Sequence, residues 1–470
     1  MIILLYVMDS LRADFLSCYG YARDTSPNID KLAADGVLFR NAFAHSTWTR
    51  LSGASLLSST YPSVHGVNTM KDSMPDTIPI LPAALKENGF KTIGISSMGN
   101  ISPAFGFARG FDDFVELYKQ RTLIEKRVKS EVSNASLQTA LGLDADFIPL
   151  ATSEDANDCL FPLLWENRHR NLFILVWSID THDPYFHRDP NLAKFCEPSG
   201  EAITGSVVTK MLRQDELDRL RALYEDMIYF NDYHLGLLMR KLRDWGLLNQ
   251  SLFVLTSDHG EAFCEHGVNS HAGLPFDEQI KVPLIIKFPE SAYSGRRIDT
   301  LVQHIDIGNT ILEYAGLGEA LLQGKSMLPL LSDETGDETF INQFSFSEGQ
   351  YPYGTSPRFV ALRTKEYKYI GCPDLHRGKS PLRRFLSKIL SRSKHGHTLE
   401  KPLLFAIAKD PKELKNISGD KKRKKHFGTL VDEILEGNRK ISENYMGKEE
   451  RSVKIDEATA KQLKALGYID

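Results

Sequence analysis

The sequence predicts an α/β protein in three layers, with a mostly parallel central sheet, followed by a smaller α+β part with a short antiparallel sheet. Three observations predict it. Apolar runs at residues 2–8, 171–180 and 252–257 each end at an acid: Asp9, Asp180 and Asp258. Buried parallel strands read this way, with polar groups collected at the carboxyl edge of the sheet. Segments of helical periodicity separate the runs, as in strand–helix–strand units. After about residue 335 the runs become shorter and more polar, as at 344–353, 359–363 and 367–370.

Taken in order, residues 2–8 are a strand too short and too weakly flanked to be a leader or a membrane span. The expectation is therefore a cytoplasmic protein. A helix follows from Pro27 to Asp35, with Pro at its first turn and Gly36 after it. Residues 37–39 lead into Thr47-Trp48-Thr49-Arg50, which opens a short helix of small residues and leucines. Residues 81–88 are helical and 92–96 a strand; 116–170 is mixed and mainly helical. Residues 214–245 form a long amphipathic helix with Leu217, Leu220, Leu223, Tyr224, Met227 and Ile228 on one face. Val282–Phe288 is a fourth strand. The domain boundary is expected near 335, giving a catalytic part at 1–335 and a subdomain at 336–470.

The 470 residues are 42% hydrophobic and 25% charged, with a net charge of −4, so a soluble globular class is expected and nucleic acid is not. A basic island at 376–397 contains an amphipathic stretch, 382–392, expected either to dock on the body with a solvated cationic face or to make a weak membrane-surface or anionic-substrate contact. Five scattered cysteines, Cys18, Cys159, Cys196, Cys264 and Cys372, form no C-x-x-C pair. Reduced thiols are expected, with neither a disulfide framework nor a thiolate metal site.

Chemistry collects at the strand ends. Asp9, Asp258 and His259 would give a divalent metal three protein ligands once the sheet brings them together. Thr49, in the first helical turn, faces unpaired N–H groups and the positive end of the helix dipole. From this stretch alone Thr49 or Ser52 reads as a helix cap; beside a metal that lowers its pKa, Thr49 is a seat for a hydroxyl nucleophile. His182, on the Pro turn Thr181-His182-Asp183-Pro184-Tyr185, is placed to act as an acid on a leaving group. His259, His266 and His271 fall within thirteen residues.

These segments carry a pattern. Asp9-Ser10-Leu11-Arg12-Ala13-Asp14, Ser26-Pro27-Asn28-Ile29-Asp30 and Tyr61-Pro62-Ser63-Val64-His65-Gly66 resemble the sulfatase family of the alkaline phosphatase superfamily. So do residues 181–185, 257–267, Val282-Pro283-Leu284-Ile285-Ile286 and the closing Leu463-Lys464-Ala465-Leu466-Gly467-Tyr468. The order is the family's, and the match spans nearly the whole chain. The resemblance implies an alkaline-phosphatase-like sandwich. It implies Asp9, Asp258 and His259 as metal ligands, joined by Thr49, the nucleophile. It implies His182 and His271 as contacts to the transferred group. Asn100 lies near a Lys-x-His pair of many sulfatases that is missing here. With Asn100, residues Arg50, Tyr185 and His266 are expected to touch substrate.

The departures sharpen the expectation. Many sulfatases carry Cys or Ser within C-x-P-x-R or S-x-P-x-R and oxidise it to formylglycine. Here Thr49 stands at that place, Leu51 at the proline and Gly53 at the arginine. Threonine cannot yield that aldehyde. Ser10 follows Asp9, so a second acid is absent, and His259 replaces a common asparagine. The pattern looks more like branches that handle phosphodiesters, phosphonate esters and phosphoethanolamine, which hold Mn²⁺ or Zn²⁺ more often than Ca²⁺. The expected substrate is a small anionic phosphate or sulfate ester, on a sugar or lipid among other carriers. Transfer to such a hydroxyl and a catalytically silent binding protein are the rival readings; an oligomer is left open.

Overall fold

Residues 1–120, 150–198, 203, 212–267, 269–332, 342–349, 358–373, 399, 401–445 and 453–469 are described in a computed structural model. The expected segment 382–392 and the whole of the 376–397 island lie outside them. So does 121–149 of the expected mainly helical stretch. Its described remainder includes a helix, Ser153–Asn167.

The strands, in chain order, are β1 (Ile2–Met8), β2 (Val37–Phe43), β3 (Lys91–Ser96), β4 (Asp113–Glu116), β5 (Leu172–Ser178) and β6 (Ser251–Thr256). A short ribbon follows, β7 (Ala262–Phe263) with β8 (Asn269–Ser270), then β9 (Lys281–Lys287), β10 (Arg296–Ile298) and β11 (Val302–Gln303). The large sheet runs β10-β2-β9-β6-β1-β5-β3-β4, with β11 also on β2. Every pairing in it is parallel except those of β9, which runs against both β2 and β6. The connection from β6 to β9, residues 257–280, carries only the β7–β8 ribbon and short helical turns such as Asp277–Ile280 among its described residues, with no long crossover helix to lay the chain back parallel.

β1 lies inside the sheet and is buried along its whole length. Alternate side chains therefore feed two cores. Ile3, Leu5 and Val7 join Leu51, Ala54 and Leu57 of the helix Thr49–Ser58. Ile2, Leu4, Tyr6 and Met8 join Leu217, Leu220, Leu223, Tyr224, Met227 and Ile228 of the helix Gln214–Asp244. Helices cover both faces, the three layers that the alternation of runs predicts. Among the described residues no helix is long and apolar enough to cross a membrane. All five cysteines are free thiols.

The second sheet, β12 (Ser345–Gly349), β13 (Phe359–Arg363), β14 (Lys368–Gly371) and β15 (Leu403–Phe405), is antiparallel throughout. One face packs Val360, Leu362, Tyr369 and Leu404 against Phe427, Val431 and Leu435 of the helix Lys421–Tyr445. Its other face meets the large domain through a buried charge knot. The Asp277 carboxylate accepts from Lys368 Nζ at 2.7 Å and from Arg363 Nε at 3.1 Å, and Lys368 Nζ also reaches Glu413 at 2.8 Å. Burial pushes the Asp277 carboxyl up, but the charges of Arg363 and Lys368 outweigh it and hold its pKa well below the usual carboxylate range. Removing one partner of such a knot strands the others without solvent. Denaturant unfolding of Asp277→Ala is expected to show a loss of about 3–5 kcal/mol. A loss below about 1 kcal/mol would mean that the knot does not hold the small sheet in place.

Candidate active site

The site stands where β6, β1 and β5 end side by side. β1 pairs in register with both neighbours, Met8 beside Ser178 and Val7 beside Thr256. The residues that follow, Asp9, Asp258-His259 and Ile179 to His182, must therefore meet at one edge. All of Asp9, Asp258, His259 and His182 are fully buried.

Asp9, Asp258 and His259 bring three ligand atoms within 4.8 Å of one another. His259 Nε2 lies 3.3 Å from Asp258 Oδ2 and 3.9 Å from Asp9 Oδ1. His259 Nδ1 donates to the carbonyl of Gly260 at 2.8 Å, which leaves the Nε2 lone pair turned into the cluster. Asp258 Oδ1 accepts from the backbone N–H of Ser10 and of His259, while buried Oδ2 accepts no hydrogen bond. Ser10 adopts φ +61° at the strand end, a strained conformation for a non-glycine residue, and this aims its N–H at Asp258.

The charge balance asks for a cation. Burial and the neighbouring Asp258 charge raise the Asp9 carboxyl, and burial pushes Asp258 and Glu261 up to about 7. His259 and His271 do not compensate, since burial, with neighbouring histidine charge, brings them down to about 3, and the His182 charge lowers the three acids without overcoming their burial. A carboxylate oxygen without a hydrogen bond, an inward-facing imidazole nitrogen and adjacent buried acids together fit a divalent cation.

Thr49 is the first residue of its helix, after extended Trp48. No side chain caps this helix start. Its Oγ1 lies 3.3 Å from His259 Nε2, 3.5 Å from Asp9 Oδ2 and 3.2 Å from the hydroxyl of Tyr468. Trp177 Nε1 donates to the same Asp9 Oδ2 at 3.0 Å and holds it toward Thr49. Gly53 lies where the sulfatase pattern has arginine; a Cβ there would come within 2.7 Å of Ile101 and 3.1 Å of Trp177. Apolar packing fills that space.

The predicted residues separate into two groups. Thr49, Asp9, Asp258, His259, His182 and His271 come together. His182 Nε2 and His271 Nε2 each lie 3.1 Å from the Tyr468 hydroxyl, and His271 Nδ1 meets Glu261 at 3.1 Å. Arg50 and Asn100 instead bond to each other at 2.6 Å, and Arg50 also donates to the carbonyl of Met70 and lies over the Phe105 ring. Burial lowers the Arg50 guanidinium to about 9. Tyr185 is buried in an aromatic cluster with Tyr224 and Phe263.

His266 turns away. Its Nδ1 pairs with Glu278 at 2.8 Å, its Nε2 faces the carbonyl of Glu413, and its ring stacks on Phe276. It ties the 265–267 turn to the body rather than facing Thr49.

Three residues of the site were not singled out from the sequence: Tyr468, Trp177 and Glu261. Tyr468 follows Gly467, whose φ of +73° ends the helix Glu457–Ala465 and swings the tyrosine into the site. The only sequence signal for it is the closing Leu-Gly-Tyr itself.

Burial opposes protonation of His266, but Glu278 and Glu413 raise its pKa above the ordinary value. A raised folded-state pKa gives stability that is present in full below about pH 6.5 and is lost as pH rises through the folded value. Expected of His266→Ala is a stability loss about 1–2 kcal/mol larger at pH 5.5 than at pH 9. Equal losses at both pH values, measured by urea unfolding, would show that the ion pair contributes nothing.

Comparison with known proteins identifies the family. The sulfatase family profile matches residues 2–317, and the profile "N-sulphoglucosamine sulphohydrolase, C-terminal" matches residues 264–374. Arylsulfatase K of Danio rerio is 30% identical over 207 residues, 44% of this chain, and the match spans only 35% of that relative's length. An arylsulfatase of Clostridium perfringens is 21% identical over 479 residues, covering 91% of this chain and 92% of its own. The crystal structure of the phosphonate monoester hydrolase of Agrobacterium radiobacter superposes with a TM-score of 0.69 at 21% identity, over 94% of this chain and 96% of that one. The family profile spans well over half of the chain and contains Asp9, Thr49, His182, Asp258, His259 and His271. This chain belongs to the sulfatase family.

Proposed function

We propose that the chain hydrolyses small anionic esters through a covalent ester on Thr49, with phosphate and phosphonate esters favoured over sulfate. The observation that carries this reading is the position of Thr49 Oγ1. It lies at a helix N-terminus, 3.3 Å from His259 Nε2 and 3.5 Å from Asp9 Oδ2. A nucleophile needs contact with groups that take its proton and stabilise its charge, and both are there.

Thr49 Oγ1 attacks phosphorus or sulfur in line, and its proton passes to Asp9 Oδ2, the carboxylate oxygen beside it. The new bond is Oγ1–P or Oγ1–S; the bond that breaks is the one to the ester leaving group. His182 Nδ1 donates to the carbonyl of Asp183 at 2.5 Å, which fixes the ring with Nε2 toward the site; as the imidazolium, protonated on both nitrogens, it gives its Nε2 proton to that group and regains it from the attacking water. His271, held by Glu261, faces the equatorial oxygens. Water then cleaves the Thr49 ester, restores the hydroxyl and releases the anion. Asp9, Asp258 and His259 would hold a divalent cation that screens the ester oxygens and lowers the Thr49 hydroxyl pKa. Two carboxylates with one imidazole suit Mn²⁺ or Zn²⁺ better than Ca²⁺, which takes oxygen shells. The Tyr468 hydroxyl, met by Thr49, His182 and His271 at 3.1–3.2 Å, marks the point on which these groups converge.

Threonine also excludes formylglycine chemistry. Its Cβ carries a methyl group, so oxidation there gives a ketone and never the aldehyde.

Turnover should be measured on an aryl sulfate, a phosphate monoester, a phosphodiester and a phosphonate monoester. Thr49→Ala is expected to lower kcat at least about a thousandfold, a barrier rise of ~4 kcal/mol, with Thr49→Ser retaining more activity. Activity of Thr49→Ala within about tenfold of the parent would remove Thr49 from the reaction, since that is a barrier change of only ~1.4 kcal/mol. Bound metal without turnover of any ester would instead favour transfer to a sugar or lipid hydroxyl. Added Mn²⁺ is expected to raise the Tm of the parent and not that of Asp258→Ala; an equal rise in both would sink the assigned ligand set.

A further inference from the structure

A second cluster of ligand atoms lies where the chain that follows His182 meets the helix Gln214–Asp244. His187 Nε2, Cys196 Sγ and Asp226 Oδ2 form a triangle with sides of 3.1 Å for His187–Asp226, 3.4 Å for Cys196–Asp226 and 3.5 Å for Cys196–His187. His187 and Asp226 are buried and Cys196 is half-buried. Tetrahedral zinc, with bonds of roughly 2.0–2.2 Å to nitrogen and oxygen and about 2.3 Å to sulfur, separates its ligand atoms by roughly 3.3–3.6 Å. The triangle therefore needs only a few tenths of an ångström of adjustment to hold zinc. We propose that His187, Cys196 and Asp226 form a second metal site, taking Zn²⁺ or a similarly thiophilic divalent ion, with one coordination position left for solvent.

The surroundings are built for it. Asp226 is held by three backbone donors of the same loop: Lys194 N at 2.6 Å and Phe195 N at 2.9 Å on Oδ1, and Cys196 N at 3.1 Å on Oδ2. These bonds fix the carboxylate before any ion arrives, as supporting shells of metal ligands do. His187 Nδ1 is buried without a hydrogen bond, so the ring's engaged nitrogen is Nε2, the atom that faces the triangle. The donor set differs from that of Asp9, Asp258 and His259 by a thiol in place of a carboxylate, which shifts its preference from Mn²⁺ toward Zn²⁺.

Burial and the adjacent Asp226 push the Cys196 thiol up to about 12, so without an ion the sulfur keeps its proton. On binding, the S–H bond breaks, a sulfur–metal bond forms and the proton leaves to solvent. The ion would clamp the 187–196 loop to the long helix Gln214–Asp244. Arg188 on that loop donates to the carbonyls of Asp180 and His182, at 3.1 and 3.0 Å, so the clamp reaches the segment that places His182.

The test is a count of metal by mass spectrometry on the full chain, stripped by chelator and reloaded with Zn²⁺ alone, then titrated with Co²⁺ alone. The parent is expected to bind two equivalents. Cys196→Ser and, independently, His187→Gln should each lose one and keep the other, while Asp258→Asn loses the opposite one. Cobalt at this site should give a thiolate charge-transfer band in the near ultraviolet that survives in Asp258→Asn and vanishes in Cys196→Ser. A parent that shows no such band, or a Cys196→Ser or His187→Gln protein that binds as much zinc as the parent, overturns the site.

Discussion

Everything at the site follows from one constraint: buried carboxylates set side by side where two central strands end. β1 and β6 are hydrogen-bonded neighbours, so Asp9 and Asp258 emerge together, and both are closed off from solvent. Two such charges cannot share a dry pocket without compensation. His259 and His271 do not supply it, since burial keeps them neutral, and the His182 charge offsets the burial of the two acids only in part. The remaining remedies are backbone N–H groups, the indole of Trp177 and a cation. The first two are in place, and Asp258 Oδ2 is left for the third.

The rest of the large domain serves that edge. A fully apolar β1 buries alternate side chains in two cores, so its end cannot shift without disturbing both layers. The helix Thr49–Ser58, buried at every position, is held by the same packing and sets Thr49 Oγ1 against the acids. Gly53 admits Ile101 and Trp177 to near contact, and Trp177 in turn orients Asp9. The helix, the indole and the carboxylate thus form one packed unit, in which a substitution in the apolar layer is felt at the nucleophile.

The two clusters of ligand atoms show how different distances in sequence are handled. Asp258 and His259 are neighbours in the chain, and with Asp9 at a strand end they can be paired on paper. His187, Cys196 and Asp226 fall on a loop and in the middle of a helix, with no spacing that marks a metal motif. The absence of a C-x-x-C pair argued against thiolate ligation. The fold nonetheless brings one thiol, one imidazole and one carboxylate to within 3.5 Å of one another.

By itself the sequence determined the layered α/β architecture and the strands that end in acids, and the order of its family-like motifs proposed the set Asp9, Thr49, His182, Asp258, His259 and His271. Those are local signals: apolar period, helix boundaries and motif order depend on near neighbours in the chain. Tertiary structure alone decided the antiparallel return of β9, the inward turn of Tyr468, and the roles of His266 and Arg50. Each of these depends on what lies opposite. His266 meets Glu278 and Phe276 at the turn it anchors, while Arg50 meets Asn100 and Phe105. A histidine beside a glycine, or an arginine beside a nucleophile, reads the same in sequence whether its side chain faces substrate or its own scaffold. Only packing chooses between them.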